Sequence, residues 1–169
     1  MTTAATPSHA ELQSLWLHHR IDRRNAACAA ALDERRFDEW PLFFTEVCRY
    51  KVQARENFDR GLPLALIALE SRGMLMDRVH GATRTIYHAP YYTRHVLSPA
   101  QVLRIDADGA VHSQTHYSVF RTRPGDVSVV YNVGRYLDEW VEVEGELLLR
   151  SRICVYDSEM VLNSLIYPV

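Results

Sequence analysis

Thirteen consecutive residues, Ile86 to Ser98 (IYHAPYYTRHVLS), hold three tyrosines, two histidines and an arginine. His88 and His95 can titrate near neutral pH and the tyrosines can donate protons, so the segment has the composition of an acid–base or ligand cluster. Strand geometry argues for a different role. Pro90 and its neighbours suit an extended lead-in. In the strand that follows, Thr93, His95 and Leu97 share one face while Arg94, Val96 and Ser98 share the other. Arg94 and His95 then point apart, and the segment reads as the entry to a buried strand.

A second constellation is HSQTH, where a period of two aligns His112, Gln114 and His116 on one strand face. Two histidines so placed can hold a metal, but no third ligand of the usual kind stands nearby and Gln is a poor one for transition metals. A hydrogen-bonding polar face is the better reading. The carboxylates Asp77, Asp138 and Asp157 are candidate bases, yet Asp77 beside Arg78 and Asp157 near Arg152 read as halves of structural ion pairs. Cys28, Cys48 and Cys154 are odd in number, widely separated and without a C-x-x-C, which predicts reduced, mostly buried thiols. A nucleophile elbow, a glycine-rich phosphate loop and an H-E-x-x-H are all absent.

The elements that must position these groups are legible from periodicity. From Ala10 to Leu32 the residues Leu12, Leu15, Trp16, Ala26, Ala27 and Ala30 recur at three and four, which predicts a long amphipathic helix. His19 and Arg23 fall on the same stripe as Leu15 and Ala26, so that stretch faces solvent or meets a partner. RRFDEWPLFFTE predicts a shorter helix with an aromatic face of Phe37, Trp40, Phe43 and Phe44, tolerating Pro41 only in its first turn. VCRYKVQA alternates as a strand, with Cys48, Tyr50 and Val52 on one side. After a polar RENFDRG loop, LPLALIALES suits a buried strand, and Ser71 can cap a helix through RGMLMDRVHG. Four long runs then follow, TRHVLSPAQVLRIDA, VHSQTHYSVFRTR, VSVVYNVGRYLDEWVEV and ELLLRSRICVYDSEMV, separated by the turn signals DADG, PGD and EGE. Helices followed by an antiparallel meander predict an α+β fold, with N-terminal helices packed on one face of a highly curved, mostly antiparallel sheet.

The 169 residues suit one domain, 1–169, large enough to bury roughly 70% of the surface its unfolded chain exposes. Nineteen basic against 21 acidic residues give a net charge of −2, which offers no general attraction to nucleic acid or to an anionic membrane. LPLALIAL, the longest apolar stretch, is too short to cross a bilayer, and MTTAATPSHAELQ lacks a basic segment followed by an apolar run, so a cytoplasmic location is expected.

Several segments resemble the small (beta) subunits of Rieske-type aromatic-ring-hydroxylating oxygenases. These are LDERRFDEWPLFFTEVCRYKV at 32–52, MLMDRV at 74–79, YYTRHVLS at 91–98, and the closing segment from GRYLDEW through LRSRICVYDS. D-x-x-x-F-D-E-W-x-x-x-F followed by a C-x-Y strand, with T-R-H opening the first long strand, is the wording that carries the resemblance. EWPLFFTEVCRYKV and MLMDRV look closer to the aromatic-acid branch, the terephthalate- and salicylate-like oxygenases. The chain departs from that pattern where IYHAPYYTRH replaces a proline- and serine-rich approach, and where VLSPAQVLRI lacks an asparagine after the serine.

The resemblance implies a cone-shaped fold like that of the nuclear-transport-factor and ketosteroid-isomerase (NTF2-like) superfamily, without catalytic, cofactor-binding or metal-binding residues of its own. It implies a large (alpha) oxygenase subunit as partner, carrying the Rieske [2Fe-2S] cluster and the mononuclear iron, with NAD(P)H electrons arriving through separate components. It further implies a homotrimer of small subunits within an alpha3beta3 hexamer. The residues agree that the metals belong elsewhere, because a Rieske centre needs two Cys and two His, and three scattered cysteines form no such motif. Interfaces favour exposed aromatic and arginine residues. Tyr91, Tyr92 and Arg94, then His19 and Arg23 on the long helix, and Tyr167 in the apolar tail SLIYPV are therefore the interface candidates. Unless packed on its own sheet or a neighbour, that tail is a solubility liability. The alternative is a free-standing isomerase, dehydratase or cyclase on the same fold, with a His or Asp general base in an open apolar pocket.

Overall fold

Residues 6–158 and 165–169 are described in the structure, a computed structural model of the chain. Helix α1 runs His9–Asp33, one residue beyond expectation at each end. Its first turn is closed by a reciprocal pair: the Ser8 hydroxyl accepts from the Glu11 backbone N–H, and the Glu11 carboxylate accepts from the Ser8 backbone N–H at 2.7 Å. Ile21, Asn25, Cys28, Ala31 and Leu32 face inward. Leu12, Leu15, Trp16, Ala26 and Ala27 lie exposed on the opposite side together with His19 and Arg23, the stretch expected to face solvent or meet a partner. The helix seats the face that carries Asn25 and Cys28, since those side chains meet a buried arginine of the sheet.

The aromatic segment forms a 3-10 helix, Phe37–Phe43, in place of the α-helix expected. A three-residue period eclipses Phe37, Trp40 and Phe43 on one side, and all three are buried. Strand β1 (Phe44–Ala54) follows directly, with Trp40, Phe44 and Tyr50 meeting edge to face at centroid distances of 4.9 to 6.0 Å. RENFDRG contains a short helix, α2 (Arg55–Asp59), rather than only loop. Of LPLALIALES only Ile67–Ser71 is strand (β2), and it pairs with β1 alone. An edge position leaves Leu62, Leu64 and Leu66 exposed, where a buried strand was expected. Ser71 caps α3 (Arg72–His80) as expected, its hydroxyl accepting from the Met74 N–H at 3.2 Å, and a π turn at Gly81–Thr85 ends the helical part.

The first of the four long runs is divided into β3 (Tyr92–Leu97) and β4 (Gln101–Ile105), both antiparallel to β5 (Val111–Thr122). Pro99 supplies no N–H at the break, and the next one, from Ala100, is taken by the Asp22 carboxylate of α1 at 2.8 Å. Strands β6 (Val129–Val143) and β7 (Glu146–Tyr156) complete the expected meander. The sheet order is β2-β1-β7-β6-β5-β3, with β4 also on β5; β1 joins β7 in parallel, a pairing not visible in the sequence. Glu144 and Gly145 both take positive φ, as a two-residue hairpin between β6 and β7 requires. The result is α+β: a long curved sheet whose inner face is covered by α1, the 3-10 helix and α3.

The apolar tail is packed on its own chain. Leu165, Tyr167 and Val169 are buried, the Tyr50 hydroxyl bonds both the N–H and the carbonyl of Val169, and Arg78 donates to the carbonyls of Leu165 and Ile166.

Candidate functional site

Beneath α1 the inner face of the sheet carries a buried ion pair. Asp138 of β6 and Arg152 of β7 are register partners on the inward face. Their side chains are essentially inaccessible and form two parallel bonds of 2.8 Å. Arg152 also donates to Asn25 and reaches Cys28 Sγ at 3.7 Å, and its guanidinium lies over the Tyr136 ring at 4.2 Å. Burial by itself would lower the Arg152 pKa; the facing carboxylate outweighs it and pushes it well up. Burial pushes Asp138 up, while the bidentate bonds hold the pair ionised. A general base needs a free lone pair near neutral pH, and this carboxylate is committed to its arginine. The sequence pairing of Asp157 with Arg152 is thereby corrected. Asp138 sits directly across the ladder from Arg152, whereas Asp157 meets Arg55 at 3.2 Å. Likewise Arg78 is spent on the tail carbonyls rather than on Asp77.

In the segment 86–98 both histidines are engaged by side chains of their own chain. Arg94 and His95 point apart as expected: Arg94 is exposed and the His95 side chain is 1% exposed. His95 Nδ1 lies 2.6 Å from one oxygen of Asp33 at the end of α1, and the His95 backbone N–H donates to the other oxygen at 2.8 Å. Thr93 lies beside the same carboxylate and helps to hold its pKa down. His88 Nε2 sits 2.8 Å from the Tyr167 hydroxyl, and Phe37, Tyr91 and Tyr167 stack into one cluster at 4.6 to 4.7 Å between centroids.

His112, Gln114 and His116 do share a face, the outer one, away from the cone interior. Sequence reasoning found no third ligand there; the fold supplies two. Asp106, just past β4, and Glu139, the register partner of His112, bring their carboxylates and the His112 imidazole within 4.8 Å of one another. The signal lay in strand pairing rather than in spacing. Arg104 binds Asp106 at 2.9 Å and Arg150 binds Glu139 at 2.6 Å, so the grouping is an alternating chain of charges. Bonds from Arg104 and His112 hold the Asp106 carboxyl below the usual range. An outer-face cavity of about 590 Å³ beside it is lined by Arg49, Glu70, Glu139 and Arg150 among others.

The three thiols are free and buried. Among the described residues no cysteine joins the histidines within ligand distance, so the side chains here do not fit a Rieske centre, and a grouping with one histidine does not fit a 2-His-1-carboxylate iron site. Of the interface candidates, Tyr92, Arg94, His19 and Arg23 are exposed, whereas Tyr91 and Tyr167 are interior to this chain, filling the aromatic cluster.

The family described as ring hydroxylating beta subunit matches residues 27–163. The small subunit of anthranilate 1,2-dioxygenase from Burkholderia cepacia is 31% identical over 138 residues, covering 82% of this chain and 85% of that protein. A beta subunit of the terminal oxygenase component of terephthalate 1,2-dioxygenase from Comamonas sp. is 32% identical over 145 residues, covering 86% and 94%. Among solved structures, a chain assigned as the beta subunit of an aromatic-ring-hydroxylating dioxygenase from Novosphingobium aromaticivorans superposes with a TM-score of 0.84 at 34% identity, covering 92% of this chain and 99% of that one. A naphthalene 1,2-dioxygenase chain, 16% identical with a TM-score of 0.74, shares the fold.

Proposed function

Because this chain belongs to the family of ring-hydroxylating beta subunits, we propose that it is the noncatalytic small subunit of a multicomponent oxygenase that adds oxygen to an aromatic acid. The family match across 27–163 carries the reading, and the dioxygenases of its relatives, named for anthranilate and terephthalate, supply the substrate class. The interior agrees, since its buried carboxylate is locked to Arg152. Nothing observed favours the alternative of a free-standing isomerase: His95 is bound to Asp33, and His112 and His116 lie on the outer face.

The work of the chain is assembly. A large (alpha) subunit holds the Rieske cluster and mononuclear iron, receives electrons from NAD(P)H through separate components, and stands on a trimer of small subunits in an alpha3beta3 particle in the cytoplasm. Exposed Tyr92 and Arg94 on edge strand β3 and exposed His19 and Arg23 on α1 are the contact residues of this reading. Among the described residues no helix is long and apolar enough to cross a membrane.

Native purification from the source cells tests it. Equimolar recovery with a larger, reddish-brown iron–sulfur chain in a hexamer-sized particle supports the reading. A colourless particle holding this chain alone overturns it.

A further inference from the structure

The outer face of the sheet gathers three potential metal ligands from three separate pieces of chain. His112 of β5 and Glu139 of β6 are register partners, and Asp106 opens the turn that joins β4 to β5. His112 Nε2 lies 2.7 Å from Asp106 Oδ2 and 3.8 Å from Glu139 Oε1, and one donor atom from each of the three falls within 4.8 Å of the others. Donors held about 2.0–2.2 Å from a tetrahedral zinc ion stand about 3.3–3.6 Å apart, so the observed spacings bracket those of a loaded site. The arginines hold only one oxygen of each carboxylate, Oδ1 of Asp106 and Oε1 of Glu139. The second oxygen stays available to an ion.

The hydrogen bonds of the group do not close. Nε2 faces Asp106 Oδ2, which only accepts, and at 3.0 Å Arg104 Nη2, which only donates. With a proton on Nε2 the arginine contact is repulsive; without one the carboxylate contact is. Neither neutral tautomer serves both neighbours. A bare imidazole nitrogen and two carboxylates gathered this closely are satisfied together by a cation, and the Arg104 guanidinium is the nearest one at hand. Arg104 lies on β4, which pairs with β5 alone, and its side chain is 63% exposed, so it can withdraw into solvent. Asp106, Asp108 and Glu139 set against Arg104 and Arg150 leave a net negative charge for an ion to meet. A cavity of about 280 Å³ opens here between Leu103, Arg104, His112, Leu137, Glu139 and Ser151, with room for the waters that complete a coordination shell.

We propose that Asp106, His112 and Glu139 form a site for one divalent transition-metal ion of the zinc class, which displaces the Arg104 guanidinium and pins the β4–β5 turn to β6. One imidazole favours such an ion over magnesium or calcium, which take oxygen ligands. The site uses none of the residues assigned to subunit contacts, and the proposal stands whether or not the large-subunit reading holds.

Titration of the full chain, stripped of metal by a chelator that is then removed, provides the test, with Co²⁺ followed by visible absorption and Zn²⁺ as competitor. One equivalent of Co²⁺ should bind with ligand-field bands and be displaced by Zn²⁺. Rising free Zn²⁺ should raise the melting temperature, while Mg²⁺ at the same concentration should not. His112→Gln and Asp106→Asn should each weaken Zn²⁺ binding by at least about tenfold, the lower end of what losing even a ligand's supporting partner costs. Arg104→Gln, at an exposed position that leaves the fold intact, should tighten binding several-fold. A purely ionic cluster would show no such gain. Absence of a stoichiometric Co²⁺ or Zn²⁺ complex in the parent overturns the site. So does binding that survives His112→Gln, that is lost instead with His18→Gln or His19→Gln, or that shows the near-ultraviolet charge transfer of a cysteine thiolate ligand.

Discussion

Asp33 and His95, 62 positions apart, lock the C-terminal end of α1 to edge strand β3. The carboxylate takes the ring Nδ1 at 2.6 Å and the backbone N–H at 2.8 Å, with both side chains nearly inaccessible. Bound to a carboxylate, Nδ1 carries the proton and donates.

Asp33→Asn should therefore destabilise the chain by about 1–3 kcal/mol at pH 7, because a charge-assisted acceptor is lost in a buried setting. Burial raises the Asp33 pKa, but the bonds from His95, with Thr93 beside the carboxylate, outweigh it and hold the carboxyl below its usual value. A depressed carboxylate contributes stability above its unfolded pKa, about 3.9, and loses it as pH falls through the folded value. Urea unfolding at several pH values should show the gap between parent and variant constant at neutral pH and closing below about pH 4. Equal stability at pH 7 would remove the lock from the account.

The buried Asp138–Arg152 pair makes a different prediction. Removing one partner leaves an uncompensated charge, so Asp138→Asn or Arg152→Met alone should cost about 3–5 kcal/mol, whereas Asp138→Leu combined with Arg152→Met should recover much of the loss. Denaturant unfolding of the single and double variants gives the coupling directly. Additive losses would mean that the two side chains act independently.

These two pairs show what was legible in the sequence and what was not. The D of D-x-x-x-F-D-E-W is Asp33 and the H of T-R-H is His95, so both halves of the lock stood out as wording. Their meeting depends on how α1 crosses β3, which no local pattern carries. The strand alternation that turned Arg94 from His95 was readable because it is local. Apolar recurrence on α1 could not choose between two opposed stripes, and the one with fewer large side chains won because Asn25 and Cys28 satisfy Arg152. Asp106 and Glu139 joined His112 only through cross-strand register.

Burial also sets thiol chemistry. It raises Cys28 and pushes Cys48 to about 11 and Cys154 to about 12. Thiolate is the reactive form, so at pH 8 a disulfide reagent should find essentially no titratable thiol in the native chain and three after unfolding. Rapid reaction of any one in the native protein would show that its cover opens readily.

Gly134 and Gly145 separate two reasons for a glycine. At Gly134, in β6, an added Cβ would stand 2.0 Å from the Val155 carbonyl oxygen and 2.8 Å from Tyr156 Cα, both backbone atoms of β7. That backbone cannot swing aside, since Gly134 is in register with Tyr156 in the ladder that carries Asp138 and Arg152 inward. Gly145 has open space around it but φ +83°, so alanine there meets only the left-handed penalty of about 1 kcal/mol. Gly134→Ala must push two strands apart, at a cost of about 1–3 kcal/mol or more. It should also lower the yield of folded chain, because the displaced ladder is the one that aligns the buried ion pair. Thermal and denaturant unfolding of the two alanine variants should rank Gly134→Ala as the more damaging. The opposite ranking would mean that β6 and β7 approach less closely than the structure shows and that the hairpin turn, not the strand contact, sets this part of the sheet.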